Sequence, residues 1–471
     1  MCAQIAVIDI GKTNAKLTVL DETGKKLSQV ERFSPAIACT DAAPLSRGLD
    51  LPGIEAWLLE QLCCLPDKAE IRALVPIAHG AAMVMTGVAD EILLAPDYED
   101  PAFNLKEADY ARLRPAFAET LSPGLPGGLN LGRQIYTIQT MRPDLFSRVR
   151  RILLYPQYWA WRLSAVAASE VTSLGCHTDL WNPEAGCFSS LVEGLGWKAL
   201  FPPVQAARSV IGRIRPDLAM LTGLPSHCQV ICGVHDSNAS YLAHLVTQSQ
   251  ETRFSVVSSG TWSVVMAKGA APTRLVEGRD MLANVDALGR LTPTARFMGG
   301  REYAAIAGPN PEGVRSSEAG LREVLAQQAM ALPAFAMGGP FQGQEGRLIG
   351  CETLSVTGRL ALASLYCALM VDELLENLGS AGLVLVDGPF AADVLFPGLL
   401  QSLRSEETVM VVSPRQGTSA AALWLAGVET PMAWEAMDVS PLAAAEDVLA
   451  YRARWQALLK NRAKQCDSRQ Y

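Results

Sequence analysis

The residues best suited to chemistry gather in three short segments. Asp9-Ile10-Gly11-Lys12-Thr13-Asn14-Ala15-Lys16 joins an apolar Ile/Val run to an alternating one. Gly11 lets backbone approach an anion closely, and turn N–H groups with the Thr13 hydroxyl can bind phosphate oxygens. Asp9, at a strand end, is placed to hold a metal-bound water beside them. Ser258-Ser259-Gly260-Thr261-Trp262-Ser263 repeats this device without the carboxylate. Gly233-Val234-His235-Asp236-Ser237-Asn238-Ala239 follows a buried strand and precedes a helix-like run, so Asp236 is placed to take a proton from a substrate hydroxyl. An ordinary polar hairpin tip and an Asp that merely caps a helix satisfy the same spacing.

Two further segments have weaker patterns. Val386-Asp387-Gly388-Pro389-Phe390-Ala391 is a strand with a tight turn that could face an adenine or ribose. Gln416-Gly417-Thr418-Ser419-Ala420-Ala421-Ala422 starts a small-residue helix that permits close packing. No G-x-x-x-x-G-K-[ST] occurs, which disfavours a P-loop, and no G-x-S-x-G occurs. The five histidines, His79, His177, His227, His235 and His244, have no metal-ligand spacing.

These segments need a scaffold. Strands are expected at Ile5–Ile10, Ala15–Leu20 and Lys26–Phe33, the first two forming a hairpin whose tip carries the first motif. Phe254–Val257 and Ser263–Ala267 form a second hairpin of the same design. That recurrence suggests two related domains, each opening on a hairpin, here placed at 1–245 and 246–471. Ile71–Ile77, Val230–Val234 and Leu383–Val386 read as buried strands. Asp144–Leu163 reads as a helix broken near Pro156. Leu354–Leu378 reads as a central helix, apolar nearly all round and closed by Gly379. A last helix starts near Ser440-Pro441 and packs Val448, Tyr451, Trp455, Leu458 and Leu459 inward. Ser122–Gly128 and Gly308–Gly313 read as surface loops. The fold class is α/β.

Composition agrees. The chain has 471 residues, 49% hydrophobic and 19% charged, as a globular protein with sizeable cores does. A net charge of −8 argues against nucleic acid or an anionic membrane as a partner. The eleven cysteines are irregularly spaced with no C-x-x-C, and are expected to be reduced thiols of a cytoplasmic protein. No signal peptide or membrane span is expected.

The order of the motifs resembles the FGGY carbohydrate kinase family, within the superfamily of actin, hexokinase and heat-shock ATPases. Asp9–Lys16 is similar to the family's D-x-G-T-[TS]-[SN]-x-[KR]. Gly233–Asp236 is similar to its G-x-x-D, and Ser259–Ser263 to its S-x-G-T-[WS]-S. The resemblance spans about residues 4–427. It implies two ribonuclease-H-like domains with a catalytic cleft between them, MgATP as phosphoryl donor, and a sugar or polyol as acceptor. It further implies Asp236 as general base, Asp9 near Mg²⁺ through water, and Gly11, Lys12, Thr13, Asn14, Lys16, Ser259, Gly260 and Thr261 around the phosphates. Gly388 and Pro389 would meet the adenosine, and His79, Gly80, Tyr98, Asp100 and Asp236 the sugar. A homodimer is common in the family.

There are departures. The adenosine turn, Asp387-Gly388-Pro389-Phe390, lacks the usual run of glycines. The family's S-G-Q-M-H-G survives only as Ala78-His79-Gly80, and its D-x-R is replaced by Asp97-Tyr98-Glu99-Asp100-Pro101. Ser259–Ser263 resembles the rhamnulokinase branch, so a ketose such as L-rhamnulose or L-fuculose is the expected acceptor, phosphorylated on a primary hydroxyl. The alternatives are another ketose or polyol, such as a xylulose, and a non-catalytic nucleotide-binding regulator.

Overall fold

In the computed structural model, which describes residues 3–39, 43–309, 313–412, 417–428 and 436–467, the chain divides into two compact units. Unit 1 is Met1–Ser249 with Ala283–Leu291 and Arg415–Trp434. Unit 2 is Gln250–Leu282 with Thr292–Pro414 and Glu435–Tyr471. Gln416 and residues 310–312 lie outside the described residues.

Unit 1 is built on a mixed sheet. Its strands run in the order Val210–Arg213, Gln229–Ile231, Ile71–Ala78, Gln4–Ile10, Asn14–Asp21 and Lys26–Phe33, and Val234–His235 also pairs with Ile71–Ala78. The first hairpin is antiparallel, with Asp9 opposite Lys16, while Gln4–Ile10 runs parallel to Ile71–Ala78 with Asp9 opposite Ile77. Parallel strands sit mid-sheet with both faces covered, and Ile5, Ile8, Leu74 and Val75 are fully buried.

Unit 2 repeats the plan. Three antiparallel strands, Leu291–Phe297, Ser263–Lys268 and Phe254–Ser258, continue into the parallel Leu383–Asp387 and Thr408–Val412. The helix Val356–Leu378 forms the core. Ser355 caps its start, accepting the Gly358 N–H at 3.0 Å, and Gly379 ends it at φ 68°. It packs against the helices Gly299–Ala307, Glu318–Gln327 and Phe396–Leu403.

Several expectations change. The single helix over 144–163 is a short helix, Pro143–Phe146, then a strand, Arg151–Leu154, then a helix, Tyr155–Ser164. Pro156 sits in that helix's first turn, where a missing N–H is harmless. The strand pairs with Met83–Thr86, a partner far away in sequence that local periodicity cannot show. The last helix begins at Ala445. Val448, Tyr451, Trp455 and Leu459 are buried, whereas Leu458 is 36% exposed. Tyr451 and Trp455 donate to the carbonyls of Ala329 and Ala331, each at 2.9 Å. The 122–128 loop is largely buried, because Asn130 donates to Ser122 Oγ and the Pro123 carbonyl. Every described cysteine is a free thiol, and no helix among the described residues is long and apolar enough to cross a membrane.

Leu365, fully buried in the central helix of unit 2, gives a check on that core. Leu365→Ala is expected to destabilise the protein by about 2–5 kcal/mol, through lost transfer energy and the cavity left behind. Guanidinium unfolding reads this as a lowered midpoint.

Candidate active site

The unit 1 site is assembled by strand register. Asp9 lies one residue before the end of the first strand, opposite Ile77, and Val234–His235 pairs with Ile77–Ala78. Asp236 therefore emerges at the same end of the sheet as Asp9. It is the first residue of the helix Asp236–Thr247, whose cap position is held by His235. Gly233, at φ 84°, is required just before it, since a Cβ there would lie 2.2 Å from the Pro76 carbonyl oxygen. Asp9, Gly11, Thr13, Asn14, Lys16, Ile77, Asp236, Ala239 and Ser240 line a pocket of about 260 Å³. The tip of the hairpin is tied by the Gly11 N–H to the Asn14 carbonyl at 2.9 Å and by the Ser34 N–H to the Thr13 carbonyl at 2.7 Å. The helix Gly417–Leu425 packs against Asp236–Thr247 within unit 1, with Ala421 and Ala422 fully buried. That contact explains its small residues.

The electrostatics centre on Asp9. Burial raises its pKa to about 6, the Asp236 charge adds to the rise, and Lys16 opposes it. Two carboxylates thus share a small pocket with one lysine. This donor set suits a divalent cation that keeps most of its water and takes few protein carboxylates, as Mg²⁺ does. No cluster of three or more potential metal-ligating side chains occurs among the described residues.

Lys12 leaves this group. Its ammonium pairs with the buried Asp97, lies 3.7 Å from Glu99 and sits 4.4 Å from the Tyr98 ring centroid. Arg47 pairs with the other Asp97 oxygen at 3.2 Å. These cations hold the Asp97 carboxyl below its ordinary value against the effect of burial. His79 is buried edge-on to Tyr155 and Tyr98, with ring centroids 4.9 and 6.2 Å away, and burial lowers its pKa. Gly80 adjoins His235, where a Cβ would come within 2.4 Å of Nε2. Asp100 is turned inward. Its carboxylate accepts the N–H groups of Ser46 and Arg47, both at 2.6 Å, and of Ala102 at 2.8 Å, which holds the 46–47 segment in place.

In unit 2 the second hairpin tip meets the Asp387-Gly388 turn. Ser259 Oγ donates to the Asp387 carbonyl at 2.7 Å and accepts the Phe390 N–H at 2.9 Å. Gly388, at φ 79°, allows this approach, since a Cβ would lie 2.2 Å from the Ser259 carbonyl oxygen. At Gly300 an added Cβ would lie 2.5 Å from the Gly260 carbonyl oxygen, so glycine is needed there too. A cavity of about 780 Å³ opens there, lined by Gly260, Thr261, Gly300, Arg301, Tyr303, Arg315, Pro389 and Phe390 among others. It offers backbone, two guanidinium groups and an aromatic face. Trp262 turns to structural work, with the Arg296 guanidinium 4.6 Å from its ring.

Asp97, Arg301 and Arg315 were not legible as site residues, because tertiary contacts define their surroundings. Gly299-Gly300, a glycine pair at the start of a helix just after a strand, was a usable signal for the third wall of the unit 2 cavity.

Residues 251–436 match the family model described as carbohydrate kinase FGGY, C-terminal domain. A carbohydrate kinase from Novosphingobium aromaticivorans, known from its crystal structure, is 36% identical with a TM-score of 0.88, covering 98% of this chain and 99% of that one. A rhamnulokinase from Halalkalibacterium halodurans is 21% identical over 305 residues, 58% of each chain. A probable L-xylulose kinase from Pasteurella multocida is 29% identical over 274 residues, 55% of this chain and 54% of that one. The chain thus spans about half the length of these two curated relatives. The chain belongs to the FGGY carbohydrate kinase family, and its fold is the actin-like ATPase fold.

The raised pKa of Asp9 predicts a pH-dependent stability effect. Below about pH 4 the folded and unfolded chains both hold this proton. As pH rises through about 6 the folded state must release a proton it binds more tightly than the unfolded chain does, so stability is lost. Asp9→Asn removes that loss. In EDTA it is expected to gain about 1–3 kcal/mol at pH 7.5 and nearly nothing at pH 4. Urea unfolding at the two pH values checks this; equal effects at both would contradict it.

Proposed function

We propose that the protein transfers the γ-phosphoryl group of ATP to a hydroxyl of a small ketose, with Asp236 as the general base. The observation that carries this reading is the placement of Asp236 at a helix start in one pocket with Asp9, Lys16 and the Gly11–Asn14 tip. Phosphoryl transfer needs positioning and charge stabilisation above all. Asp236 orients the attacking hydroxyl and accepts its proton. Thr13, Asn14, Lys16 and the Gly11 backbone supply donors and positive charge for phosphate oxygens. Lys12 acts on the phosphates only by giving up its pairing with Asp97; otherwise it braces the tip. Gly260 and Thr261 offer the same kind of donors from unit 2, and Gly388, Pro389 and Phe390 frame the nucleoside.

Asp9 is the residue that would hold Mg²⁺, through water. When bound, that ion offsets the negative charge of the phosphates and orients them for in-line attack. The sugar would lie beside Asp236, bounded by His79, Gly80 and Tyr98, with Asp100 fixing the neighbouring loop. We favour L-rhamnulose or L-fuculose, phosphorylated on a primary hydroxyl, on the Ser259–Ser263 pattern. Similarity to an L-xylulose kinase supports a pentulose of that type equally. Cysteines that form no disulfide among the described residues suit the cytoplasm, where ATP is available.

A coupled ADP-release assay with MgATP over L-rhamnulose, L-fuculose, L-xylulose, D-xylulose and a set of aldoses and polyols tests this. Turnover of about 1–100 per second on a ketose is expected. Asp236→Asn is expected to lower kcat by about 10²–10⁴ and leave ATP affinity intact. Silence over the whole panel with ATP still bound would overturn the kinase reading.

A further inference from the structure

Asp236 takes its position from the turn before it, and buried polar side chains from distant parts of unit 1 hold that turn. Gln157, fully buried, donates to the carbonyls of Cys232 and Gly233 at 3.1 and 3.2 Å. Thr172 Oγ1 accepts the His235 N–H at 3.0 Å. Thr172 is in turn oriented by Glu170. One Glu170 oxygen accepts both the Thr172 N–H, at 2.9 Å, and the Thr172 hydroxyl. Committing the hydroxyl proton to Glu170 turns the lone pairs of Oγ1 toward His235. Glu170 and Thr172 are both fully buried. A carboxyl without access to water is costly to keep charged, and burial pushes the Glu170 pKa up to about 7; it accepts from the Thr172 N–H and hydroxyl and from the Ser173 N–H.

The turn delivers the His235 ring next to the base. His235 Nε2 lies 3.3 Å from Asp236 Oδ1, with the ring packed against Gly80. A displaced backbone at His235 would therefore move the ring and the carboxylate together.

We propose that Glu170 and Thr172 form a strut that acts through the backbone and ring of His235 to fix the Asp236 carboxylate for proton acceptance. All three are positioning residues, and the inference rests on Asp236 being the base. Misplacing a reacting group by about 1 Å can lower a rate about 10²-fold, so a strut outside the pocket has kinetic weight.

Thr172→Val keeps the shape and removes the oxygen that links Glu170 to His235, while Thr172→Ser keeps the oxygen. Both are assayed with MgATP and whichever ketose of the panel turns over fastest. Thr172→Val is expected to lower kcat about 10–100-fold with the KM for ATP unchanged, and Thr172→Ser to stay near wild type. In an Asp236→Asn background, Thr172→Val should cause no further loss, because no base remains to be aimed. Wild-type kcat in Thr172→Val would overturn the strut, as would an equal loss in both backgrounds, which a purely structural role gives.

Two controls separate the possible failures. If Thr172→Val does not fold, Thr172→Ala removes the same oxygen and is expected to give the same kinetic signature; wild-type kcat there would also overturn the strut. If no sugar is phosphorylated, the proposed function fails on its own, and crystal structures of wild type and Thr172→Val decide the strut. A rotated Asp236 carboxylate supports it. A carboxylate unmoved relative to Asp9 and Lys16 in the same pocket overturns it.

Discussion

The repulsion between Asp9 and Asp236 is the constraint around which unit 1 is organised. Two carboxylates enter one pocket of about 260 Å³, and strand register leaves no choice about it. Burial already disfavours the Asp9 charge and its neighbour disfavours it further, while Lys16 offsets part of the effect. A fold selected for stability alone would place an apolar pair here. The pocket instead keeps two carboxylates beside one lysine, and perturbed carboxyl groups of this kind cluster at functional sites. The rigid parts around it follow from that arrangement: the central parallel strands, the Gly233 turn and the buried Gln157, Glu170 and Thr172.

Unit 2 meets a different requirement with similar parts. Its hairpin tip holds no carboxylate, and its side chains serve mainly to bring backbone close to backbone. Ser259 bridges to the Asp387–Phe390 turn, while Gly388 and Gly300 clear space on both sides of the tip. The resulting cavity is lined by glycine backbone, by Arg301 and Arg315 and by Tyr303 and Phe390, a combination suited to an anionic ligand with an aromatic part. The two units thus share a plan but divide its chemistry, one offering carboxylates and the other donors.

Much of this was legible because it is local. The hairpins around Gly11 and Gly260 announce themselves by alternation and a glycine-hydroxyl tip, and Val356–Leu378 by its apolar surface, Ser355 cap and Gly379 stop. The motif residues Asp9, Gly11, Thr13, Asn14, Lys16 and Asp236 meet in one pocket because strand ends carry them there. Features set by distant contacts were not legible. The strand Arg151–Leu154 depends on pairing with Met83–Thr86, and the helix Gly417–Leu425 joins unit 1 only through tertiary packing. Lys12 pairs with Asp97, 85 residues away, a contact that local pattern does not show. Asp100 accepts the backbone N–H groups of Ser46, Arg47 and Ala102, and the first two of these contacts lie more than fifty residues away in sequence.

The effect of burial and of the Asp236 charge on Asp9 can be measured directly. Carboxyl ¹³C NMR would follow the titration of Asp9 in the metal-free wild-type protein and in Asp236→Asn. The account predicts a pKa for Asp9 near 6 in the wild type, moving down once the Asp236 charge is removed. An Asp9 that titrates in the ordinary carboxylate range, unmoved by the substitution, would contradict it.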